Sequence, residues 1–137
     1  MVEKDSIRIN LLKGRNSENY VRWKLQGEGF KVVKLVQRGR DRKSNYDFNF
    51  LNMGLLNNIL FKDYEEDTEE LINFLKENIN GLPDFICLKE GEISFVEVKS
   101  NHSGLNENQK KTFQVLRDNG FRIIIRNINV NLEINEN

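Results

Sequence analysis

The sequence predicts an α/β fold in which a central mixed β-sheet is flanked by helices. Three observations carry that prediction. Two short apolar runs, Phe85-Ile86-Cys87-Leu88 and Ile93-Ser94-Phe95-Val96-Glu97-Val98, stand on either side of Lys89-Glu90-Gly91-Glu92 and read as a tight hairpin. A helical pattern over 106–119 leads directly into a β-type run at 121–127, the arrangement of a crossover between parallel strands. A helix at 17–28 followed by a strand at 31–37 opens the pattern.

Taken in order, the first helix has Asn16 or Ser17 as its candidate N-cap. That start puts Glu18 in the first turn, where the helix dipole alone favours a negative charge. Its spacing to Val21 and Leu25 sets it at the edge of the inward face. Tyr20 and Trp23 read as residues that pack this helix. The helix ends at Gly29-Phe30, and strand 31–37 runs into a basic loop at 38–45. Segment 46–62 contains Phe48, Phe50, Leu51, Leu55, Leu56, Ile59 and Leu60 and reads as partly helical and packed. Residues 66–78 come next as a helix with Leu71, Ile72, Phe74 and Leu75 on its apolar face, so 44–80 reads as a helical insertion. Pro83, the only proline, stands where the next strand begins, a position that tolerates its missing N–H. After helix 106–119, Asn119-Gly120 is a helix stop. Beyond Asn129, the alternation of Val130, Leu132 and Ile134 suggests an edge strand.

A chain of 137 residues fits one domain, 1–137, with a substantial core, and nine phenylalanines supply much of its bulk. No apolar run approaches the roughly 20 residues of a membrane span, and the N-terminus shows no secretory pattern. Cys87 is the lone cysteine, so no disulfide framework exists, and a cytoplasmic setting is the expectation. One cysteine and one histidine, His102, argue against zinc.

The net charge is zero, but the charges are not spread evenly. Residues 31–43 hold Lys31, Lys34, Arg38, Arg40, Arg42 and Lys43 against Asp41 alone, whereas residues 63–70 hold six acids. Arg38, Arg40, Arg42 and Lys43 are therefore the candidates for phosphate contact, since cations on a loop follow a nucleic-acid backbone without reading bases. An ordinary solvated loop would have the same composition.

Within the hairpin lies an unusual placement of charge. Asp84 begins the first strand, and Glu97 and Lys99 end the second, thirteen and fifteen residues further on. If Glu90 and Gly91 are the two central turn residues, facing positions sum to 181, and Asp84 faces Glu97. Facing residues in an antiparallel pair have Cβ atoms about 4.5–5.5 Å apart. Two carboxylates at that separation repel unless a cation lies between them. Mg²⁺ suits such a pair, because it takes oxygen ligands and keeps several waters. Lys99 shares the strand face of Glu97, which brings an ammonium beside the acids. A cation held next to an ammonium group is what hydrolysis of a phosphodiester requires. A surface Glu–Lys pair near the strand ends is the plainer alternative. Ile93 and Phe95 on one face and Val96 and Val98 on the other argue instead for a central strand.

Pro83-Asp84 followed by Phe95-Val96-Glu97-Val98-Lys99 resembles the PD-(D/E)XK nuclease superfamily. The closest likeness is to VRR-NUC-type domains, with archaeal Holliday-junction resolvases a near second. The helix from Ser17-Glu18-Asn19-Tyr20 to Gly29-Phe30, Leu105-Asn106-Glu107-Asn108-Gln109 and the strand Gly120-Phe121-Arg122-Ile123-Ile124-Ile125 extend the likeness over 14–39 and 80–127. The resemblance implies a three-layer restriction-endonuclease-like fold and a Mg²⁺-dependent DNA endonuclease, with Mn²⁺ substituting. By that likeness Asp84 and Glu97 bind metal, Lys99 is catalytic, Glu18 is the accessory acid, and Gln109 orients the site. Ser100, after the lysine, is a candidate phosphate contact, and His102 lies in the adjoining loop. The implied partner is DNA, whether duplex, flap or branched. A homodimer is compatible with this reading, as is a non-catalytic DNA-binding module on the same fold. The 44–80 insertion departs from the compact family core.

Overall fold

The computed structural model describes residues 13–62, 68–101 and 103–128. The proposed edge strand after Asn129, His102 and most of the acidic run (residues 63–67) lie outside the described residues.

The core is a four-stranded sheet in the order β1 (Lys31–Lys34), β4 (Phe85–Lys89), β5 (Glu92–Ser100), β6 (Arg122–Ile128). Strands β1, β4 and β5 pair antiparallel, and β5 pairs parallel with β6, so the sheet is mixed as the sequence predicts. Glu90 and Gly91 are the central residues of the β4–β5 turn and both have positive φ, 53° and 77°. That backbone matches the strand twist, and it sets the register Lys89↔Glu92 through Phe85↔Val96. Continued by one pair, this register brings Asp84 opposite Glu97.

Both faces of the sheet are covered. Helix α1 (Lys13–Gly27) buries Val21 and Leu25 against Phe85, Cys87 and Val96 on one face. On the other face, α2 (Met53–Asn57), a π-helical turn (Asn58–Lys62), α3 (Glu69–Glu77) and α4 (Glu107–Asp118) cover Val33, Ile86, Leu88, Ile93 and Phe95. Leu56, Leu60, Ile72, Leu75 and Leu116 supply that layer. The architecture is the expected three layers, and β5 is buried through Glu97. No helix among the described residues is long and apolar enough to cross a membrane.

Two expectations need correction. The strand predicted over 31–37 stops at Lys34, and the chain leaves the sheet at Leu35. There the Leu35 N–H donates to the Asp84 carbonyl, and its own carbonyl accepts from Asn52. The segment after Leu35 is not a basic loop but a separate two-stranded hairpin, β2 (Val36–Asp41) with β3 (Tyr46–Leu51). Its turn is built by Asp41, which accepts from the Lys43 N–H and the Ser44 hydroxyl, and by Asn45 at φ 57°. The 44–80 segment therefore opens with a strand before it becomes helical. Tyr46, Phe48 and Phe50 alternate along that strand instead of packing into a helix face.

Candidate active site

Asp84, Glu97, Lys99 and Gln109 meet at the end of the central strands. Glu97 and Lys99 share parity with Ile93 and Phe95, so both project toward the α4 layer. Glu97 is only 3% exposed. Its Oε2 is 3.1 Å from Lys99 Nζ and accepts from Gln109 Nε2 at 2.9 Å. Lys99 Nζ also donates to Gln109 Oε1 at 3.2 Å.

Gln109 is held in turn by the start of α4. Asn106 is the N-cap: its side chain accepts from the Gln109 N–H at 2.8 Å, and Gln109 Oε1 accepts from the Asn106 N–H at 3.1 Å. This capping box satisfies two N–H groups that a helix start leaves unpaired. The same amide that closes it clamps the Glu97–Lys99 pair, so helix initiation and site geometry share one side chain.

Asp84 is fixed from both sides. Its Oδ2 accepts from the Val98 N–H at 2.8 Å, and its carbonyl accepts from Leu35. Burial pushes its carboxyl up to about 8, and the negative charges of Glu97 and, more weakly, Glu18 push the same way. Glu97 Oε1 is buried and receives no N–H donor, and the raised Asp84 carboxyl is the acid that Glu97 meets side chain to side chain. A buried, unpaired carboxylate oxygen beside a second crowded carboxyl is costly as it stands.

That arrangement is the test of fit for a divalent cation. The donors are hard carboxylate oxygens, one is unsatisfied, and the two acids repel each other. No group of three or more His, Cys, Asp or Glu side chains converges among the described residues, so the protein offers a pair of acids. A pair is sufficient for an ion that keeps much of its water shell.

Of the remaining predicted residues, Glu18 reaches this cluster only through the effect of its charge on Asp84, and the others are not brought into it. Helix α1 begins at Lys13, so Glu18 is in the second turn and the helix dipole does not account for it. Both of its carboxylate oxygens lie 3.0 Å from Lys34 Nζ. Lys34 pairs with Phe85 and therefore faces the α1 layer, opposite to Glu97. Ser17, a candidate cap, is instead buried inside the helix, and its hydroxyl accepts from Ser100 Oγ at 3.0 Å. Ser100 is thereby tied to α1. Arg38 and Arg40 are exposed on β2, where Arg38 pairs with Asp47 at 2.7 Å and Arg40 donates to Asn45. Arg42 and Lys43 are at the hairpin tip. Tyr20 and Trp23 do not pack the helix: they are 47% and 71% exposed.

Sequence reasoning missed Lys34 as the partner of Glu18, and Asn106 as the residue that seats Gln109. Asn106 was legible, because Asn followed three residues later by Gln is a capping-box signature. Lys34 was not, since its partner lies on a helix sixteen residues earlier.

A family model described as the VRR-NUC domain matches residues 34–127, about two thirds of the chain. The chain belongs to the VRR-NUC family. The VRR-NUC match contains Asp84, Glu97, Lys99 and Gln109 and runs through the 44–80 segment. It starts at Lys34, after the helix that carries Glu18. Membership makes this a nuclease-type domain on a restriction-endonuclease-like fold. No curated protein and no solved structure is significantly similar to the chain.

Proposed function

We propose that this chain is a divalent-metal-dependent DNA endonuclease that hydrolyses phosphodiester bonds and selects its substrates by structure. The observation that carries the reading is the asymmetry of Glu97. One oxygen is engaged by Lys99 and Gln109, while the other is buried with no N–H donor, on a carboxylate whose remaining side-chain partner is the crowded carboxyl of Asp84. Asp84 and Glu97 would hold the cation, with Glu18 close enough for its charge to be felt by Asp84. Mg²⁺ or Mn²⁺ bound there supplies a Lewis acid for phosphoryl oxygens and acidifies water.

The chain's own side chains do the rest. Hydrolysis joins a water oxygen to phosphorus and breaks a P–O bond, with a proton ending on the departing oxygen. Lys99 has three N–H donors, of which Glu97 and Gln109 take two. The third is left for a phosphate oxygen, where its charge offsets the negative charge that builds up on phosphorus. Gln109 keeps Glu97 and Lys99 from reorienting, which preserves the geometry that the reaction uses. The hairpin cations Arg38, Arg40, Arg42 and Lys43 would follow the DNA backbone.

The test is cleavage of duplex, flap, single-stranded and four-way-junction DNA in Mg²⁺ or Mn²⁺. Asp84→Asn, Glu97→Gln and Lys99→Ala should each abolish cutting while circular dichroism stays that of the parent. Cleavage that survives all three substitutions would remove the site assignment. Tight binding across the panel with no cutting in either metal would leave a non-catalytic DNA-binding module. Molecular mass measured on the same samples decides whether junction cutting, if seen, comes from a dimer.

A further inference from the structure

The β2–β3 hairpin stands apart from the four-stranded sheet and has two different faces. By its register, Gln37, Gly39 and Asp41 share a face with Phe50, Phe48 and Tyr46. The three aromatic side chains stay in solvent: Tyr46 is 63% exposed, and Phe48 and Phe50 are 40% each. The Phe48 and Phe50 rings lie 5.8 Å apart, tilted by 42°. They lean over Gly39, where a Cβ would come within 2.7 Å of Phe48 and 3.0 Å of Phe50. Glycine thus lets the rings lie down across the strand with their outer faces open.

The charge of the hairpin bears on what would cover those rings: Arg38 and Arg40 alternate to the opposite face, whereas Arg42 and Lys43 stand at the tip beyond Tyr46. Residues 36–51 hold four cations, Arg38, Arg40, Arg42 and Lys43, against Asp41 and Asp47. The rest of the chain is left with seventeen cations and nineteen acids. A second copy would bring the same cationic hairpin to this face, whereas a nucleic-acid strand brings phosphates and flat bases together. A cleft of about 540 Å³ runs from the hairpin to the 3-10 turn Ile79–Gly81, lined in part by Arg38, Tyr46, Phe48 and Asn80. Asn80 also lines a smaller hollow of about 230 Å³ with Asn108 and Lys111.

We infer that this face is a stacking platform for an unpaired nucleic-acid strand, with bases on Tyr46, Phe48 and Phe50 and phosphates on Arg42 and Lys43 at the hairpin tip. The inference rests on the nuclease reading of the same chain and gives its substrate a single-stranded arm. Stacking on aromatic rings tolerates any base, because every base has a π-face. It would select substrates by strandedness.

The experiment is binding of a fluorescent oligothymidylate of about fifteen nucleotides to the full chain in EDTA, where nothing is cut. Phe48→Ala and Phe50→Ala should each weaken binding about five- to a hundred-fold with the salt dependence unchanged. Phe48→Trp should preserve it. Arg42→Ala should flatten the salt dependence instead. Parental binding by both alanine variants would overturn the proposal. So would a dimeric parent that Phe48→Ala turns into a monomer, since a second copy would then cover the face. Duplex cleavage in Mg²⁺, run alongside, separates the two readings. Cutting with indifferent alanine variants removes the platform alone, and strand binding through Phe48 with no cutting in any metal removes the nuclease alone.

Discussion

Gln109 Nε2 donates to Glu97 Oε2 across 2.9 Å, the same oxygen that Lys99 holds, and together they leave Oε1 without an N–H donor. The amide is locked by its own helix start, so this arrangement is set when α4 forms and not when a ligand arrives. The site is in that sense assembled before it is used. Gln109 touches no reacting atom in this arrangement and is a positioning residue.

Gln109→Ala should lower cleavage about 10- to 100-fold, the usual effect of removing a residue that orients a metal ligand. The stability cost should be about 0.5–2 kcal/mol, because half of the capping box goes with it. Gln109→Glu separates the two roles. It keeps a good capping-box residue but sets a negative charge against Glu97, so helix stability should be retained while Mg²⁺-dependent rates fall. Parental cleavage rates in both variants, with stability lost in Gln109→Ala alone, would reduce Gln109 to a cap.

Asp84 makes the metal-free protein sensitive to pH. Its folded-state pKa of about 8 lies above the ordinary carboxylate value, so between roughly pH 4 and 8 the native state binds more protons than the unfolded state. This contribution to stability is fully present below about pH 4 and is lost as the pH rises through about 8. Urea midpoints in EDTA should therefore fall between pH 5 and pH 8, and Asp84→Asn should flatten the trend. Binding of Mg²⁺ at pH 7 should expel a proton, seen by calorimetry in two buffers of different ionisation enthalpy. Identical heats in both buffers would contradict a protonated Asp84.

Much of this arrangement was legible in the sequence, for a local reason. Glu90-Gly91 fixes a two-residue turn, a turn fixes a register, and the register brings Asp84 to Glu97 with no long-range information. The helix 107–118 was legible from its Asn caps and the Phe113/Leu116 stripe. The start of α1 was misjudged because Asn16 and Ser17 look like caps, yet the helix already runs from Lys13 and Ser17 is spent on Ser100, a contact across 83 residues that no local pattern encodes. The hairpin was misjudged because Arg, Gly and Ser between Arg38 and Ser44 read as a loop. Tyr46, Phe48 and Phe50 did carry a period-two signal, which the neighbouring leucines of α2 obscured. Trp23 was assigned inward by residue type, but Ser17, Val21 and Leu25 already fill the buried stripe of α1.

Cys87 is fully buried in β4, and burial pushes its thiol up to about 12. At pH 8 the native chain should not react with an aromatic disulfide reagent, since neither thiolate nor access is available. One equivalent should react at once in concentrated denaturant. Fast labelling of the native chain would mean that β4, which leads out of Asp84, opens far more readily than its packing implies.

The approach of α4 to the strand that begins after Asp84 depends on a glycine. Gly81 is buried, and a Cβ there would come within 2.6 Å of Thr112 Oγ1 and 2.8 Å of the Asn108 carbonyl oxygen. The Thr112 side chain can be trimmed, but the Asn108 carbonyl is helix backbone and cannot move without α4. Gly81→Ala should therefore cost about 1–3 kcal/mol, the range for overpacking a tight contact. It should also push α4 and the turn before Pro83-Asp84 apart, which loosens Gln109 and Asp84 together. Thermal melts measure the first effect, and Mg²⁺-dependent cleavage well below the melting temperature measures the second. Adding Thr112→Ser should restore little of either, because the hydroxyl and the backbone oxygen both remain. A Gly81→Ala variant as stable as the parent would show that the turn and the helix start do not press on each other at this point.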